Sequence, residues 1–330
     1  MSLIANVLAR RETQVIAARV PQADKILLQL FIFLITCIAL VLVDYICSVI
    51  TVLAAIEDVD QTAYICLDDE GPKDPEAGDS LKKRPITSGL GSAIKYLYAR
   101  GGIRSCFRGF RMCMAVLAAE TVLAAIAGFV SPLNRESLLS LFLVQFIATM
   151  PFAAWRMACV HRMIADKSPE TKHRRITGFR YWPRIAPAAA LYNVVNCMTI
   201  ALLFSVAESA GWITKNVVNE SGYKVLASLL LGIMLPTIAG ITLSLPARVI
   251  FIRVAASMLP TEDVPIVPFD PQFGGKVDPN VADRSSLRIA DAWNTLSWLT
   301  LFRISKLLFL TLCIENALGA VGAFVGVILL

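Results

Sequence analysis

Six long stretches of this chain carry almost no ionisable side chains. Four have none apart from cysteine or tyrosine: Ile26–Val43, Ser137–Trp155, Ile185–Ala207 and Val225–Ala247. Two carry a single acid each, Met112–Leu133 with Glu120 and Leu307–Leu330 with Glu315. A helix of ~20 apolar residues crosses the bilayer hydrocarbon, and the alternating pattern of barrel strands is missing. The sequence therefore predicts an all-α membrane protein with six transmembrane helices.

The distribution of charge predicts an orientation in the membrane. Hydrophobic residues make up 56% of the chain and charged residues 17%. Basic residues concentrate in segment 162–184, namely Arg162, Lys167, Lys172, Arg174, Arg175, Arg180 and Arg184. The positive-inside rule then places the three long connections in the cytosol or matrix and both termini across the membrane. Because the 162–184 loop flanks membrane helices, we expect it to contact anionic lipid such as cardiolipin, and not nucleic acid.

Metal binding and catalysis find no support in the sequence. Eight cysteines are present, but no Cys-x-x-Cys spacing occurs and most lie in or beside apolar spans. We expect them to act as small buried side chains, with no metal and no cofactor. Phosphate-binding Gly-rich loops, HExxH motifs and nucleophile–His–acid sets are missing as well. The chain is therefore predicted not to be an enzyme.

Three similar segments indicate internal triplication. Phe107-Arg108, Phe179-Arg180 and Phe302-Arg303 each precede an apolar span, and twelve residues after each arginine come Glu120, Tyr192 and Glu315. The even spans thus repeat, which predicts three pseudo-repeated helix pairs at about 25–133, 134–210 and 211–330. Residues 1–24 precede them, either as a basic amphipathic helix or as a solvated tail.

The odd spans are longer than a perpendicular crossing requires. They run over about Lys25–Ile56, Ser137–Ala165 and Tyr223–Leu259. Pro151 and Pro246 lie inside the second and third, where each proline removes one backbone hydrogen bond. These helices are predicted to tilt or kink.

Hydrophilic segments separate the helices of two pairs. Insertions 58–90 and 260–287 are rich in proline and acidic residues and are predicted to be solvated and mobile. Their acidic character makes them possible docking sites for a protein partner. Between spans, Ser92–Arg104 has a helical pattern with Ile94, Leu97 and Tyr98 on one side. This predicts a short amphipathic helix at the membrane surface.

One segment resembles a motif of the mitochondrial carrier family. Gly102 is followed after four residues by Phe107, Arg108 and Gly109, which matches the family's element of Gly, four residues, aromatic, base and Gly. Gly101 stands where the family has an acid. Together with Pro151 and Pro246 in the odd spans, the resemblance implies a carrier-like bundle of three helix pairs in a mitochondrial membrane. It also implies transport of a small solute through a central cavity.

The odd-span signature of that family, Pro-x-acid-x-x-base-x-base, is poorly matched. The corresponding positions hold Leu42, Asp44, Cys47 and Val49; Pro151, Ala153, Arg156 and Ala158; and Pro246, Arg248, Phe251 and Arg253. Transferred to this chain, the family geometry sets Arg156 against Arg248 and Asp44 against Phe251. We therefore expect no ring of acid–base pairs at these positions.

The candidate solute site consists of polar side chains within the spans. Glu120 and Glu315 are predicted either to line a cavity that binds a cation, proton or polar solute, or to be protonated carboxyls that bond neighbouring helices. Tyr192 and Asn196 lie at the same level of the middle pair. Arg156 and Arg253 are expected either to attract an anionic solute or to reach lipid headgroups.

Three functions remain open from sequence. The first is a divergent carrier that moves a small solute, and the second is a non-transporting scaffold or adaptor on a carrier-like fold. The third is a secretory-pathway multi-span protein unrelated to carriers, which a glycan on the sequon Asn219-Glu220-Ser221 would favour. The carrier resemblance favours a mitochondrial membrane, with the endoplasmic reticulum as the alternative.

Overall fold

The computed structural model describes residues 2–57, 85–130, 138–167, 181–209, 235, 238–260, 263–267, 269–277 and 286–328. They are mostly helical. Within these residues, six helices are long and apolar enough to cross a membrane, at Leu27–Ile56, Ile103–Val130, Phe142–Ile164, Trp182–Leu203, Gly240–Ser257 and Trp298–Gly322. The prediction of six helices with the length and composition of membrane spans is confirmed, which fits a multi-pass membrane protein. Segment 58–84, most of the 162–184 loop and the sequon at Asn219 lie outside the described residues.

The helices follow in chain order as α1 (Ser2–Ile56), α2 (Leu90–Gly101), α3 (Ile103–Cys106), α4 (Phe110–Val130), α5 (Leu138–Thr149), α6 (Ala153–Ile164), α7 (Trp182–Ser209), α8 (Leu245–Ser257), α9 (Ile289–Asn294) and α10 (Trp298–Ile328). The odd spans are α1, α5 with α6, and α8 with the turn before it; the even spans are α4, α7 and α10. Two short strands, β1 (Ala165–Lys167) and β2 (Val264–Pro265), pair antiparallel.

Both odd-span prolines coincide with a break in the α-helix. A 3₁₀ turn at Met150–Phe152 contains Pro151 and separates α5 from α6. A π-helical turn at Gly240–Ser244 precedes α8, which has Pro246 in its first turn. Proline cannot donate the backbone hydrogen bond that a regular helix needs. In the 3₁₀ turn the carbonyl of Met150 accepts from the backbone N–H of Ala153 and, at 2.8 Å, from the indole Nε1 of Trp182. The predicted distortions are therefore present, in two different forms.

The helix predicted within Ser92–Arg104 is present as α2. Helix α2 buries Ala93, Tyr96 and Leu97, whereas Ile94 and Tyr98, expected beside Leu97, are exposed. It ends at Gly101 and not at Arg104, because Gly102 adopts φ 61°, a conformation open to glycine. Ile94 and Tyr98 therefore lie on a face that the described protein does not cover, and the placement of that face at a membrane surface stays a prediction.

Packing divides the chain into two units, Met1–Ile46 with Leu310–Leu330, and Cys47–Phe309. In the first unit, α1 and α10 approach each other closely at Gly322. A Cβ atom built on Gly322 would lie 2.5 Å from Thr36 Oγ1. Glycine at this position permits close helix contact, as is common between membrane helices.

In the second unit, part of the predicted 260–287 insertion is packed and not solvated. Ile266, Val267, Phe269 and Val277 are buried. The backbone N–H of Ile266 donates to the carbonyl of Ile164 at 2.8 Å. Tyr96 Oη donates to the carbonyl of Ile266 at 2.9 Å. The prediction of a solvated insertion was wrong for this stretch, because its apolar residues pack beside α2 and β1.

Candidate functional site

A buried ion pair joins two spanning helices of the second unit. Glu120 of α4 is 8% exposed. Arg156 of α6 donates from Nε to Glu120 Oε1 at 2.5 Å and from Nη2 to Oε2 at 2.7 Å. A two-point contact of this kind is the strongest geometry available to arginine and a carboxylate. Each charge supplies the counter-charge that the other needs at membrane depth.

Asn193 of α7 completes this cluster. Its Oδ1 accepts from Arg156 Nη1 at 3.0 Å, and its Nδ2 donates to the sulfur of Met150 at 3.4 Å. The cluster of Glu120, Arg156 and Asn193 therefore links α4, α6 and α7. Two alternatives were proposed for Glu120 from sequence, a cavity wall and a protonated carboxyl, and the structure adds an ion pair within the bundle.

Tyr192 and Asn196 follow the same face of α7. The ring of Tyr192 stacks on Phe251 of α8, with centroids 6.2 Å apart and planes 25° apart. Asn196, one turn later, is half-exposed. Tyr192 therefore packs against an aromatic side chain from the next odd span.

The contact between Tyr192 and Phe251 occupies the positions that correspond to Glu120 and Arg156. Glu120 and Tyr192 lie equally far along the chain from their Phe-Arg pairs, and Arg156 and Phe251 lie equally far from Pro151 and Pro246. In both cases, an even span contacts the odd span of the following pair at the same level.

Two arginines of the third odd span bond to α1. Arg253, 6% exposed, donates from Nε to the carbonyl of Ala55 at 3.0 Å and from Nη1 to Thr295 Oγ1 at 2.9 Å. Arg248 donates from Nη2 to Ser48 Oγ at 2.7 Å. The transferred family geometry set Arg156 against Arg248, but Arg156 is paired with Glu120. Phe251, expected against Asp44, stacks on Tyr192.

A second buried ion pair closes the end of α1. Glu57, 1% exposed, lies 3.1 Å from Arg303 of α10, measured from Oε2 to Nη1. Arg303 Nη2 also donates to the carbonyl of Ala54 at 3.1 Å. Glu57 Oε1 accepts from the backbone N–H of Ile86 at 2.6 Å. Oε2 also accepts from the backbone N–H of Thr87 at 3.2 Å and from the Thr87 hydroxyl. One carboxylate therefore holds the end of α1, the turn before α2 and the start of α10.

A third ion pair closes the end of α6. Arg108 donates from Nη1 to the carbonyls of Ala165 at 2.8 Å and Asp166 at 2.6 Å, and from Nη2 to Asp166 Oδ1 at 2.7 Å. Both carbonyls belong to β1, directly after the last residue of α6, and a cation beside the C-terminal end of a helix also suits the helix dipole.

The motif that carried the family resemblance forms the turn into α4. Gly102 and Gly109 have positive φ, 61° and 76°, and Phe107 packs edge-on against Phe110 with centroids 5.8 Å apart. Gly101 stands where the family motif has an acid, and Arg108 pairs with Asp166, beyond the end of α6.

Glu315 belongs to the first unit and is half-exposed. Its Oε1 atom is buried and has no hydrogen-bond partner in the described part of the chain. Asp44 is near enough to repel it electrostatically. In this unit the two carboxyls of α1 and α10 therefore share one region.

Sequence reasoning missed Glu57 and Asp166. Both sit just after the end of an odd span, at the same distance along the chain from Leu42 and Pro151 respectively. This equal spacing could have identified the two acids as equivalent positions of a repeat. It was overlooked because the search for a site concentrated on charges inside the spans.

Cysteines and acids form no group of three potential metal ligands within the described ranges, and the cysteines placed there are free. No protein-family model and no curated protein matches this chain. Its fold and contacts are therefore the basis for any functional conclusion.

Proposed function

We propose that this protein is a carrier-like transporter of a small solute, built from three repeated helix pairs and located in a mitochondrial membrane. The main support is the pair of equivalent contacts between neighbouring helix pairs. Glu120 with Arg156 joins the first even span to the second odd span, and Tyr192 with Phe251 joins the second even span to the third odd span. Equal sequence positions in equal contacts favour triplication over a chance arrangement.

The ion pairs at the long-loop ends support the same order. Arg108 from the first even span binds at the end of the second odd span, and Arg303 from the third even span binds at the end of the first. These two contacts follow one cyclic rule, in which each even span meets the odd span of the next pair. That rule is the connectivity expected of a closed ring of three helix pairs around an axis.

The chemistry of this arrangement suits a barrier on the long-loop side. Ion pairs and carbonyl contacts hold the end of α1 to α10 and the end of α6 to the turn before α4. On the proposed function, these contacts close the loop side. Access from that side requires these contacts to separate, and a ligand achieves this only by binding the open state better. Arg108–Asp166 and Glu57–Arg303 are therefore proposed to act as the gate of an alternating-access cycle.

The test uses purified protein in liposomes that contain cardiolipin. Radiolabelled phosphate, carboxylates, amino acids and nucleotides are offered in turn, and accumulation is compared with protein-free liposomes. For a solute that accumulates, the pair Arg108→Cys with Asp166→Cys is joined by a short bis-maleimide, which should stop uptake. The control is Arg111→Cys treated in the same way, since Arg111 is exposed in the first turn of α4. Accumulation of no solute in the panel, or full-rate uptake through a completely cross-linked gate, overturns the proposal.

A scaffold on the same fold is the second candidate function. It is favoured by one observation: within the second unit, Glu120, Arg156, Arg253 and Arg303 bond to groups of the protein itself. Affinity capture from detergent-solubilised membranes distinguishes the two functions. A scaffold should lose its partner on deletion of the acidic segment 68–79, whereas a transporter should keep its uptake.

A further inference from the structure

Two cysteines lie on the facing sides of α4 and α6. Cys113 is seven residues before Glu120, and Cys159 is three residues after Arg156. Residues three, four or seven apart lie on one face of an α-helix. Each cysteine therefore shares a helix face with one member of the Glu120–Arg156 ion pair, and that ion pair holds the two faces together.

The ion pairs on either side bring the two cysteines into the same stretch of the helix contact. Cys113 follows Arg108 by five residues, and Cys159 precedes Asp166 by seven. The two chain segments run antiparallel, because the Arg108–Asp166 contact precedes the Glu120 contact in the first segment and follows it in the second. Both cysteines thus lie between the same two ion pairs.

The two thiols are in contact. The thiol of Cys159 is hydrogen-bonded to that of Cys113, and the two are not joined by a disulfide. Cys159 is 7% exposed, whereas Cys113 is half-buried and lies in the first turn of α4. A disulfide places Cβ atoms about 4 Å apart, and thiols already in contact across two facing helices are close to that geometry.

We propose that Cys113 and Cys159 form an oxidation site, at which a hydroperoxide converts the thiol pair into a disulfide between α4 and α6. Cys113, the more accessible thiol, reacts first as its thiolate. Its sulfur forms a bond to one peroxide oxygen, the O–O bond breaks, and the released proton ends on the other oxygen as water or an alcohol.

The second step consumes the sulfenic acid left on Cys113. The sulfur of Cys159 attacks the sulfur of Cys113, so that the S–S bond forms and the S–O bond breaks. The proton of the Cys159 thiol leaves with the hydroxyl group as water. In total, two thiols are oxidised to one disulfide and one hydroperoxide is reduced.

The disulfide adds a covalent bond between two helices that an ion pair holds on either side. It restricts the unfolded chain between residues 113 and 159, which stabilises the folded state, and it prevents α4 and α6 from separating. Oxidation would therefore fix the gate at Arg108 and Asp166 in its closed state. This consequence rests on the proposed function, whereas the oxidation site does not.

The first experiment follows the disulfide in native membranes, with no uptake assay. Membranes are treated with hydrogen peroxide, the remaining thiols are blocked with N-ethylmaleimide, and unreduced peptides are analysed by mass spectrometry. A peptide pair that links positions 113 and 159 should appear and should be lost in Cys113→Ser. The matched control is Cys197→Ser, which removes another buried thiol and should keep the link.

A second measurement compares thermal unfolding in detergent before and after oxidation. The oxidised protein should have the higher midpoint, dithiothreitol should reverse the shift, and Cys113→Ser should show no shift. Sulfenic acid trapped by dimedone at Cys113 without a link to Cys159 overturns the proposal. Full alkylation of Cys113 after millimolar hydrogen peroxide overturns it as well. Uptake that continues through a completely linked protein overturns the consequence for the gate and leaves the oxidation site standing.

Discussion

Arg156 and Glu120 meet side by side on neighbouring membrane-spanning helices, and both oxygens of the carboxylate accept from the guanidinium. The pair lies in a part of the chain where sequence reasoning expected either a solute cavity or isolated protonated acids. Its third partner, Asn193, extends the contact to another helix. The cluster therefore fixes the relative position of three helices.

Removal of one member of this pair should destabilise the protein strongly. Arg156→Gln leaves the buried Glu120 carboxylate without its partner, at a cost of about 3–5 kcal/mol. Glu120→Gln should cost less, because the Arg156 side chain is 22% exposed. The double variant should be less destabilised than the sum of the single variants, because no orphan charge remains. The measurement is the midpoint of thermal unfolding in detergent, followed by tryptophan fluorescence. Arg111→Gln on the exposed side of α4 is the control, and additive losses would show that the two residues are not coupled.

Arginine at position 303 should not be replaceable by lysine. Arg303 reaches both the Glu57 carboxylate and the carbonyl of Ala54, and lysine has the charge but not the forked geometry. Arg303→Lys leaves buried acceptors without a donor and should cost about 1–3 kcal/mol. Lys306→Arg, an exposed position of the same helix, is the opposite exchange and should change the unfolding midpoint little. Equal midpoints for Arg303→Lys and the unaltered protein would contradict the role assigned to the fork.

The spanning helices could be predicted from the sequence because membrane insertion depends on local composition. Any stretch of about 20 apolar residues meets the requirement of the hydrocarbon core wherever it lies in the chain. The distortions at Pro151 and Pro246 were also predictable, since a proline ring acts on its own helix. The Phe-Arg repeat, which singles out Arg108 and Arg303, could also be found from sequence, because it is a pattern of neighbouring residues.

The partners of these residues could not be predicted in the same way. Whether Arg156 meets Glu120 or Arg248 depends on how far two helices are rotated and shifted against each other, which a single sequence does not specify. The transferred family geometry gave the wrong partner because this chain differs from the family at most of the positions concerned. Burial of Ile266 and Val267 escaped prediction because the surrounding prolines and acids dominate the local composition.

Tyr96 is predicted to fasten the segment after β2 to α2. Its buried hydroxyl donates to the carbonyl of Ile266, and Tyr96→Phe should cost about 1–2 kcal/mol by leaving that carbonyl without a donor. The measurement is limited proteolysis, and loss of this hydrogen bond should make cleavage within residues 269–277 faster. Tyr98→Phe is the control, because Tyr98 is exposed on the same helix. Equal cleavage rates in the two variants would contradict the prediction.

The same contact should give an alkaline pH dependence. Burial raises the pKa of Tyr96 above its ordinary value of 10.0, an effect that Arg100 partly opposes. The folded state therefore favours the neutral phenol. This contribution to stability is complete below the pKa of the unfolded chain and is lost as the pH rises through the raised folded value. Between pH 9 and about 11, where free tyrosine titrates, the unaltered protein should lose more stability than Tyr96→Phe. Parallel pH curves would exclude this linkage.

Gly322 is predicted to tolerate no side chain. A Cβ atom at this position would lie 2.5 Å from Thr36 Oγ1 and 2.7 Å from its Cγ2, and a β-branched threonine has little freedom to move away. Gly322→Ala should therefore separate α1 and α10 and cost about 1–3 kcal/mol, as expected for overpacking. Gly319, on the same helix, has no atom within 4 Å of a built Cβ, so Gly319→Ala is the matched control and should not destabilise. The measurement is the unfolding midpoint, which should be lower for Gly322→Ala than for Gly319→Ala. If Thr36→Ala restores the midpoint of Gly322→Ala, the loss arises at this contact; if it does not, the two helices are separated by something other than the threonine.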